Sequence, residues 1–260
     1  MTDNKHRSQP PKLQTTDDGS HTLYSVQFDQ HYHNPNGAVA ESRHNFFEKN
    51  GLQASLPEAK SITILEIGFG TGLNLLLLLD EYLKSESKCK IDFYSVEGFP
   101  VHAKTARNFN YAEFLEHPEL VEKLPSIFGN LQRGMNQFEL LPNVTLHLFI
   151  GMFEAFQPDE LQADYIFHDP FSPDVNEALW TKGTFKKLAS WSSPDVILTT
   201  YSAASKARGA MAAAGWKIGR ERGALGKREM SVASLNPDKL SHLKRVNENR
   251  LAHRYEINDF

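Results

Sequence analysis

Ser61-Ile62-Thr63-Ile64-Leu65-Glu66-Ile67-Gly68-Phe69-Gly70-Thr71-Gly72-Leu73-Asn74 is the stretch on which the fold turns. Its first seven residues are a short, apolar, β-branched run ending at Gly68, and Leu73 to Leu83 follows with helical length. That is strand, glycine turn, helix. Glycines at such a turn let the backbone approach a ligand closely, at the strand end where open α/β sheets bind nucleotides. The dinucleotide fingerprint G-x-G-x-x-G is excluded, because Leu73 occupies the place of the third glycine and Gly72 comes one residue early. No Gly-Lys-Ser/Thr follows, which excludes a P-loop. An acid, Glu66, followed by G-x-G-x-G remains.

The pattern repeats outward from this turn. Ile91 to Val96 reads as a second strand ending at Glu97, with a helix over Val101 to Asn108 after Pro100. Asn143 to Ile150 is a third strand, Tyr165 to His168 a fourth, and Asp195 to Thr200 a fifth after a helix over Asn176 to Ser190. Lys206 to Ala214 predicts a helix closed by Gly215. Trp216 to Arg222 and Arg228 to Leu235 predict two final strands joined by the short loop Gly223 to Lys227, one of them antiparallel. Alternation of this kind predicts a mostly parallel seven-stranded sheet with helices on both faces over 61–236. Before it, Thr22 to Tyr32 is extended, Asn34-Pro35-Asn36-Gly37 is a turn, and Ala38 to Lys49 is a helix stopped at Asn50-Gly51, which together make an extension over 22–60. Residues 1–21 predict a mobile tail and 237–260 a polar, basic tail.

Bulk properties bound the function. At 260 residues and 40% hydrophobic content the chain can bury one large core. Leu73 to Leu79, the most apolar run, is far short of the roughly 20 residues that cross a bilayer, and no signal-peptide core is present, so a soluble, cytoplasmic protein is expected. One cysteine, Cys89, excludes an internal disulfide framework. Net charge is −4, but it is unevenly spread: residues 61–200 carry 10 Lys+Arg against 19 Asp+Glu, and residues 201–255 carry 12 against 4. That basic end can meet nucleic-acid phosphates or simply be a solvated face. His31 and His33 share a strand face, yet no further ligand set completes a site, and no metal is expected.

An acid followed by G-x-G-x-G resembles the first motif of Rossmann-like methyltransferases, class I, which implies S-adenosyl-L-methionine as cofactor. A carboxylate there suits a cationic sulfonium and an amino-acid ammonium better than a pyrophosphate. Glu97, at the end of the second strand, is placed to accept hydrogen bonds from both ribose hydroxyls. The fourth strand ends in His168-Asp169-Pro170-Phe171-Ser172-Pro173. An amine nucleophile must lose a proton, and Asp169 can accept it or orient the amine, while Phe171 and Pro173 wall the methyl group. Asp169 as a helix cap is the alternative, and His168 is read as structural.

Four blocks together resemble the methyltransferase domain of the tRNA-modifying MnmC family, over about residues 27 to 231. They are Gln27-Phe28-Asp29 with Asn36-Gly37, Glu41-Ser42-Arg43 and Asn50-Gly51-Leu52; Glu66 through Asn74; Asp169 through Pro173 with Asn176, Leu179, Trp180 and Thr181; and Thr200-Tyr201-Ser202, Ala214-Gly215-Trp216 and Gly226-Lys227-Arg228-Glu229-Met230. The resemblance implies methylation of the primary amine of 5-aminomethyl-(2-thio)uridine at the tRNA wobble position. It implies cofactor binding by Glu66, Gly68, Gly70, Gly72, Asn74, Glu97, Gly151, Met152 and Asp169, with Asp169 also catalytic. Phe171, Ser172, Pro173, Tyr201, Lys227 and Arg228 would meet the substrate, the last two facing RNA. Gly151-Met152 stands where the family commonly has Gly-Asp near adenine, and Asp-Pro-Phe-Ser-Pro replaces Asp-Gly-Phe-Ala-Pro, which stiffens the loop. No room is left for the FAD-dependent half of the bifunctional form, so a free-standing enzyme is expected, coupled to another that supplies the aminomethyl group. The rival readings are a different amine acceptor on the same fold and a tRNA-binding module without catalysis.

Overall fold

The computed structural model describes residues 10–260. Lys12–Thr15 (β1), His21–Ser25 (β2) and Gln30–His31 (β3) form a small antiparallel sheet. The tail predicted over 1–21 is therefore ordered from β1 onward, while residues 1–9 lie outside the described residues. The reason is local polar satisfaction: Asp18 accepts from Thr16 Oγ1 (2.7 Å) and from the Ser20 amide (2.9 Å), which closes the β1–β2 turn. The same carboxylate accepts from the Ala40 amide at 3.2 Å, joining the turn to helix Ala38–Arg43. Helical structure continues as a π-turn over His44–Glu48 and stops where Gly51 takes a left-handed φ of 80°. Leu23, Val39, Phe46, Phe47 and Leu52 of this extension are buried in the same core as Ile62, Leu75 and Phe93.

The main sheet holds Ser61–Ile67 (β4), Lys90–Glu97 (β5), Gly134–Leu141 (β6), Val144–Ile150 (β7), Ala163–His168 (β8), Ser192–Thr200 (β9), Lys217–Glu221 (β10), Met230–Ser234 (β11) and Lys244–Arg245 (β12). Their order is β12-β10-β11-β9-β8-β4-β5-β7-β6. The five strands from β9 to β7 are parallel, and β11 is antiparallel to both β9 and β10, so the expected hairpin is present. Two strands were not expected. β6 pairs antiparallel with β7 at the sheet edge, and its burial alternates between half-buried and exposed over most of its length, so no apolar face marks it in sequence. β12 is two residues long.

The order in which strands are added reverses at β4, whose parallel neighbours are β5 on one side and β8 on the other, and the crevice at their carboxyl ends is the ligand position of doubly wound sheets. Helix Leu73–Lys84 follows β4 and is buried at ten of its twelve residues, because sheet and N-terminal extension cover it from both sides. The predicted 176–190 helix is divided. Thr181 is extended and its Oγ1 caps the Thr184 amide at 3.2 Å, so a 3-10 turn Glu177–Trp180 precedes helix Lys182–Ser190. The predicted 101–108 helix shrinks to Ala103–Ala106.

The 237–260 stretch is not a tail. It carries a 3-10 turn Pro237–Leu240, β12 and helix Glu248–Glu256, whose first turn is capped by Asn247 accepting from the Arg250 amide at 2.9 Å. Its residues Leu251 and Tyr255 pack partly buried against the core. Gly209 permits that packing, since a Cβ there would stand 2.9 Å from the Phe260 ring and 3.1 Å from the Leu251 carbonyl oxygen. The helix has no fully buried residue, which is why its apolar positions do not stand out in the sequence. No helix among the described residues is long and apolar enough to cross a membrane.

Candidate active site

β4 and β8 approach each other at their carboxyl ends until their loops touch. The Asp169 amide donates to the Ile67 carbonyl at 3.0 Å, and a Cβ on Gly68 would lie 2.8 Å from the Asp169 carbonyl oxygen. Gly68 also has a φ of 96°, so only glycine fits without strain. Gly70, with φ 53°, donates its amide to Glu97 Oε2 at 2.8 Å, and the Phe99 amide donates to Glu97 Oε1 at 2.7 Å. Burial raises the Glu97 carboxyl, opposed by the amides of Phe99, Gly70 and Gly98. Gly72 serves packing instead: it precedes the helix with φ 77°, and a Cβ there would meet Leu124 at 2.6 Å.

The resulting cleft has a volume of about 930 Å³. Gly68, Gly70, Asn74, Glu97, Gly151 and Met152 line one part of it, and Asp169 and Phe171 another. Glu66 is not on its wall. That carboxylate lies beneath, 1% exposed, accepting from Asn74 Nδ2 (3.0 Å) and Ser95 Oγ (2.6 Å). Burial pushes it up to about 7, against the pull of those two hydrogen bonds. Asn74 carries its influence upward, since the same Nδ2 also donates to Asp169 Oδ2 at 3.2 Å. Asn74 Oδ1 is buried without a hydrogen-bond partner among the described residues.

Asp169 is hemmed by carboxylates. Burial raises its pKa well above the ordinary aspartate range, the charges of Glu41 and Glu66 push it further, and Asn74 and Lys227 pull it down. The loop that carries it is pinned from three sides. Tyr201 Oη donates to the Pro170 carbonyl (2.8 Å), Trp180 Nε1 to the Phe171 carbonyl (2.8 Å), and the Ser172 amide to Gln30 Oε1 (3.1 Å). Ser172 and Pro173, expected to face substrate, line none of the described cavities at this end of the sheet; Ser172 contributes an amide that fixes the loop. Phe171 does face the cleft, with its ring centroid 4.9 Å from Phe28 and 5.1 Å from Tyr32. His168 is fully buried against Trp180 and Phe185, and burial pushes it down to about 3, so it stays neutral. His31 and His33 bond to Gln14 (2.7 Å) and Thr22 (3.1 Å).

Two further cavities adjoin. One of about 710 Å³ shares Asp169, Pro170 and Phe171 with the cleft and adds Gln30, Glu41, Tyr201 and Lys227. The next, an open basic cleft of about 1500 Å³, shares Tyr201 and Lys227 with that one and is lined by Arg208, Arg220, Arg228, Arg250 and Arg254, with Glu229 as its carboxylate. Arg208 and Arg220 are held by Glu229 and Arg254 by Asp259, whereas Arg228 and Arg250 have no carboxylate within 4.0 Å among the described residues. Asp169 thus stands between a glycine-loop cleft and a path to basic surface. Sequence reading brought out Asp169, Tyr201, Lys227 and Arg228, and missed Tyr32, Arg250 and Arg254. Glu41 was visible only inside a block of resemblance, with nothing in its spacing to single it out.

Glu66 supplies a stability test. Folded, it keeps its proton to about pH 7, whereas the free carboxyl releases it near 4.5. Its contribution is then fully favourable below the free value and is lost as pH rises through the folded one, by up to about 3 kcal/mol. Glu66→Gln is expected to gain on the wild type by up to that amount in chemical denaturation as pH rises from about 5 to about 8; a constant difference would contradict the buried protonated carboxyl.

Residues 116–236 match a family model described as S-adenosyl-L-methionine-dependent methyltransferase. The chain is 31% identical over 218 residues to the tRNA 5-methylaminomethyl-2-thiouridine biosynthesis bifunctional protein MnmC of Leptospira interrogans, covering 82% of this chain and 34% of that protein. It is 33% identical over 225 residues to the MnmC of Ralstonia nicotianae, covering 82% and 33%. The chain thus spans about a third of the length of the relatives it matches. A crystal structure of MnmC2 from Aquifex aeolicus superposes with a TM-score of 0.75 at 25% identity, covering 97% of this chain and 77% of that one. The chain is thus similar to S-adenosyl-L-methionine-dependent methyltransferases over residues 116–236 and to MnmC proteins over about four fifths of its length, and it shares the fold of MnmC2.

Proposed function

We propose that this chain methylates the primary amine of 5-aminomethyl-(2-thio)uridine at the wobble position of tRNA. The observation that carries the reading is Asp169, a carboxyl raised far above its usual range, at the junction of the glycine-loop cleft and a cavity open to a basic surface. Its relatives' names, which speak of 5-methylaminomethyl-2-thiouridine in tRNA, support the acceptor. The cleft fits the cofactor. The unpartnered Asn74 Oδ1 is a buried acceptor suited to an ammonium, Glu97 suits ribose hydroxyls, the bare Gly68 and Gly70 backbone allows close approach, and Gly151 and Met152 offer a side for adenine. Bound there, S-adenosyl-L-methionine supplies an electrophilic methyl on a positively charged sulfur leaving group.

The protein's task is to present an unprotonated amine. An aminomethyl group arrives mostly as an ammonium, and an ordinary aspartate is too weak a base to take its proton efficiently. Raising Asp169 narrows that gap. Asp169 accepts the proton only when ionised, so turnover falls as pH drops through its raised pKa. The aromatic rings of Tyr32, Phe171 and Tyr201 border the second cavity and suit a base turned out of its stack, which is how enzymes reach a base atom in RNA. Arg228 and Arg250 then take backbone phosphates. Such a surface favours a polyanion over a small amine as acceptor. The reaction belongs in the cytoplasm with its tRNA, downstream of an enzyme that installs the aminomethyl group.

Labelled cofactor and tRNA carrying the aminomethyl group test the proposal. Label is expected on the wobble nucleoside; label absent there, with cofactor bound, overturns it. Asp169→Asn is expected to lower kcat by about 10²- to 10⁴-fold with cofactor affinity nearly kept. Arg228→Glu with Arg250→Glu should weaken tRNA binding and flatten its salt dependence by about one unit of slope per lost contact, measured by filter binding; an unchanged slope removes these arginines from the RNA surface.

A further inference from the structure

Glu41 stands where the N-terminal extension meets the second cavity, and its surroundings are those of a cation site. Its residue is 9% exposed. Oε2 accepts from the Asn34 amide at 3.0 Å, which fixes the carboxylate, while Oε1 accepts from Lys227 Nζ at 2.5 Å. That ammonium also lies 5.3 Å from the centre of the Tyr201 ring. A carboxylate and an aromatic face around a primary ammonium form a recognisable receptor for that group. The same cavity is lined by Asp169. The Lys227 side chain is 40% exposed, on the loop between β10 and β11, and it also lines the basic cleft with Arg228 and Arg250.

We propose that Glu41 and the Tyr201 face are the seat of the acceptor's ammonium, and that Lys227 fills this seat until the acceptor arrives and then turns into the basic cleft. This rests on the acceptor reading given above. It adds a specificity device: a uridine without the aminomethyl group cannot displace Lys227, so binding distinguishes substrate from unmodified tRNA before any chemistry. One cation replaces another at Glu41, and the displaced lysine gains a phosphate, so no charge is left buried alone. The seated ammonium then passes its proton to Asp169.

The test compares wild type, Glu41→Gln and Lys227→Met, each first checked for wild-type cofactor affinity. Two quantities are read: KM for tRNA bearing the aminomethyl group and Kd for the same tRNA with plain uridine. Glu41→Gln should raise the KM about ten- to a hundredfold, the value of a charge-assisted hydrogen bond, while the Kd for plain tRNA changes less than about twofold. Lys227→Met vacates the seat and should lower the ratio of KM to Kd below that of the wild type. Equal effects of Glu41→Gln on both tRNAs, no effect on either, or a raised ratio in Lys227→Met would overturn the seat. Failure of the wild type itself to methylate aminomethyl tRNA would instead overturn the acceptor assignment, so the two outcomes are separable.

Discussion

Everything at this end of the molecule depends on two loops being allowed to touch. Gly68 has no Cβ, so the turn after β4 can lie against the Asp169 carbonyl, and the Asp169 amide can close a hydrogen bond to Ile67. That contact brings Asp169 over the start of helix Leu73–Lys84, where Asn74 Nδ2 bridges it to Glu66. One amide thus serves two carboxyls. Neither can be cheaply ionised, since both are removed from water, Asp169 faces the charges of Glu41 and Glu66, and Glu66 faces that of Glu97. The arrangement resembles other sites in which neighbouring acids hold a proton at a pH where a lone acid would release it. Here it is built from the packing of a sheet, and the proposed reaction would use the raised Asp169 as its base.

The N-terminal extension is part of the same device. Its helix carries Glu41, whose charge contributes to raising Asp169, and its loop brings Phe28 and Tyr32 against Phe171. A ring contact of this kind adds roughly 0.5–1.5 kcal/mol beyond area burial, enough to hold the loop without welding it. Gln30 completes the attachment by accepting from the Ser172 amide. On the opposite side, the C-terminal helix supplies Arg250 and Arg254 to the basic cleft. Both ends of the chain therefore frame a path that starts at the glycine loop and ends at open positive surface.

The parallel strands and the glycine turn were legible because burial writes apolar patterns, a largely buried run in Ser61 to Ile67 and an alternating one in Val144 to Ile150. β6 was not, because an edge strand half-exposed along Gly134–Leu141 needs no such run. Helix Glu248–Glu256 escaped for a related reason: Leu251 and Tyr255 make its apolar contact with the core, only partly buried, within a largely polar sequence. At the site, Glu97 and Asp169 could be found from their positions at strand ends, since that rule is local. Glu66 was assigned to the right place but to direct contact, because sequence cannot show that Asn74 lies above it. Ser172 and Pro173 were drawn in by adjacency to Phe171, and it is the amide of Ser172 that matters. Glu41 meets Lys227 across 186 positions of chain, a pairing that no spacing rule reaches.

The central physical claim is that this packing holds the Asp169 carboxyl well above the usual aspartate range. Carboxyl carbon-13 NMR of labelled protein, with Asp169→Asn identifying the resonance, measures it directly. A titration midpoint well above the ordinary value near 3.9 is the result the account predicts, moving lower in Glu41→Gln. A midpoint at the ordinary value, unmoved by that substitution, would contradict it.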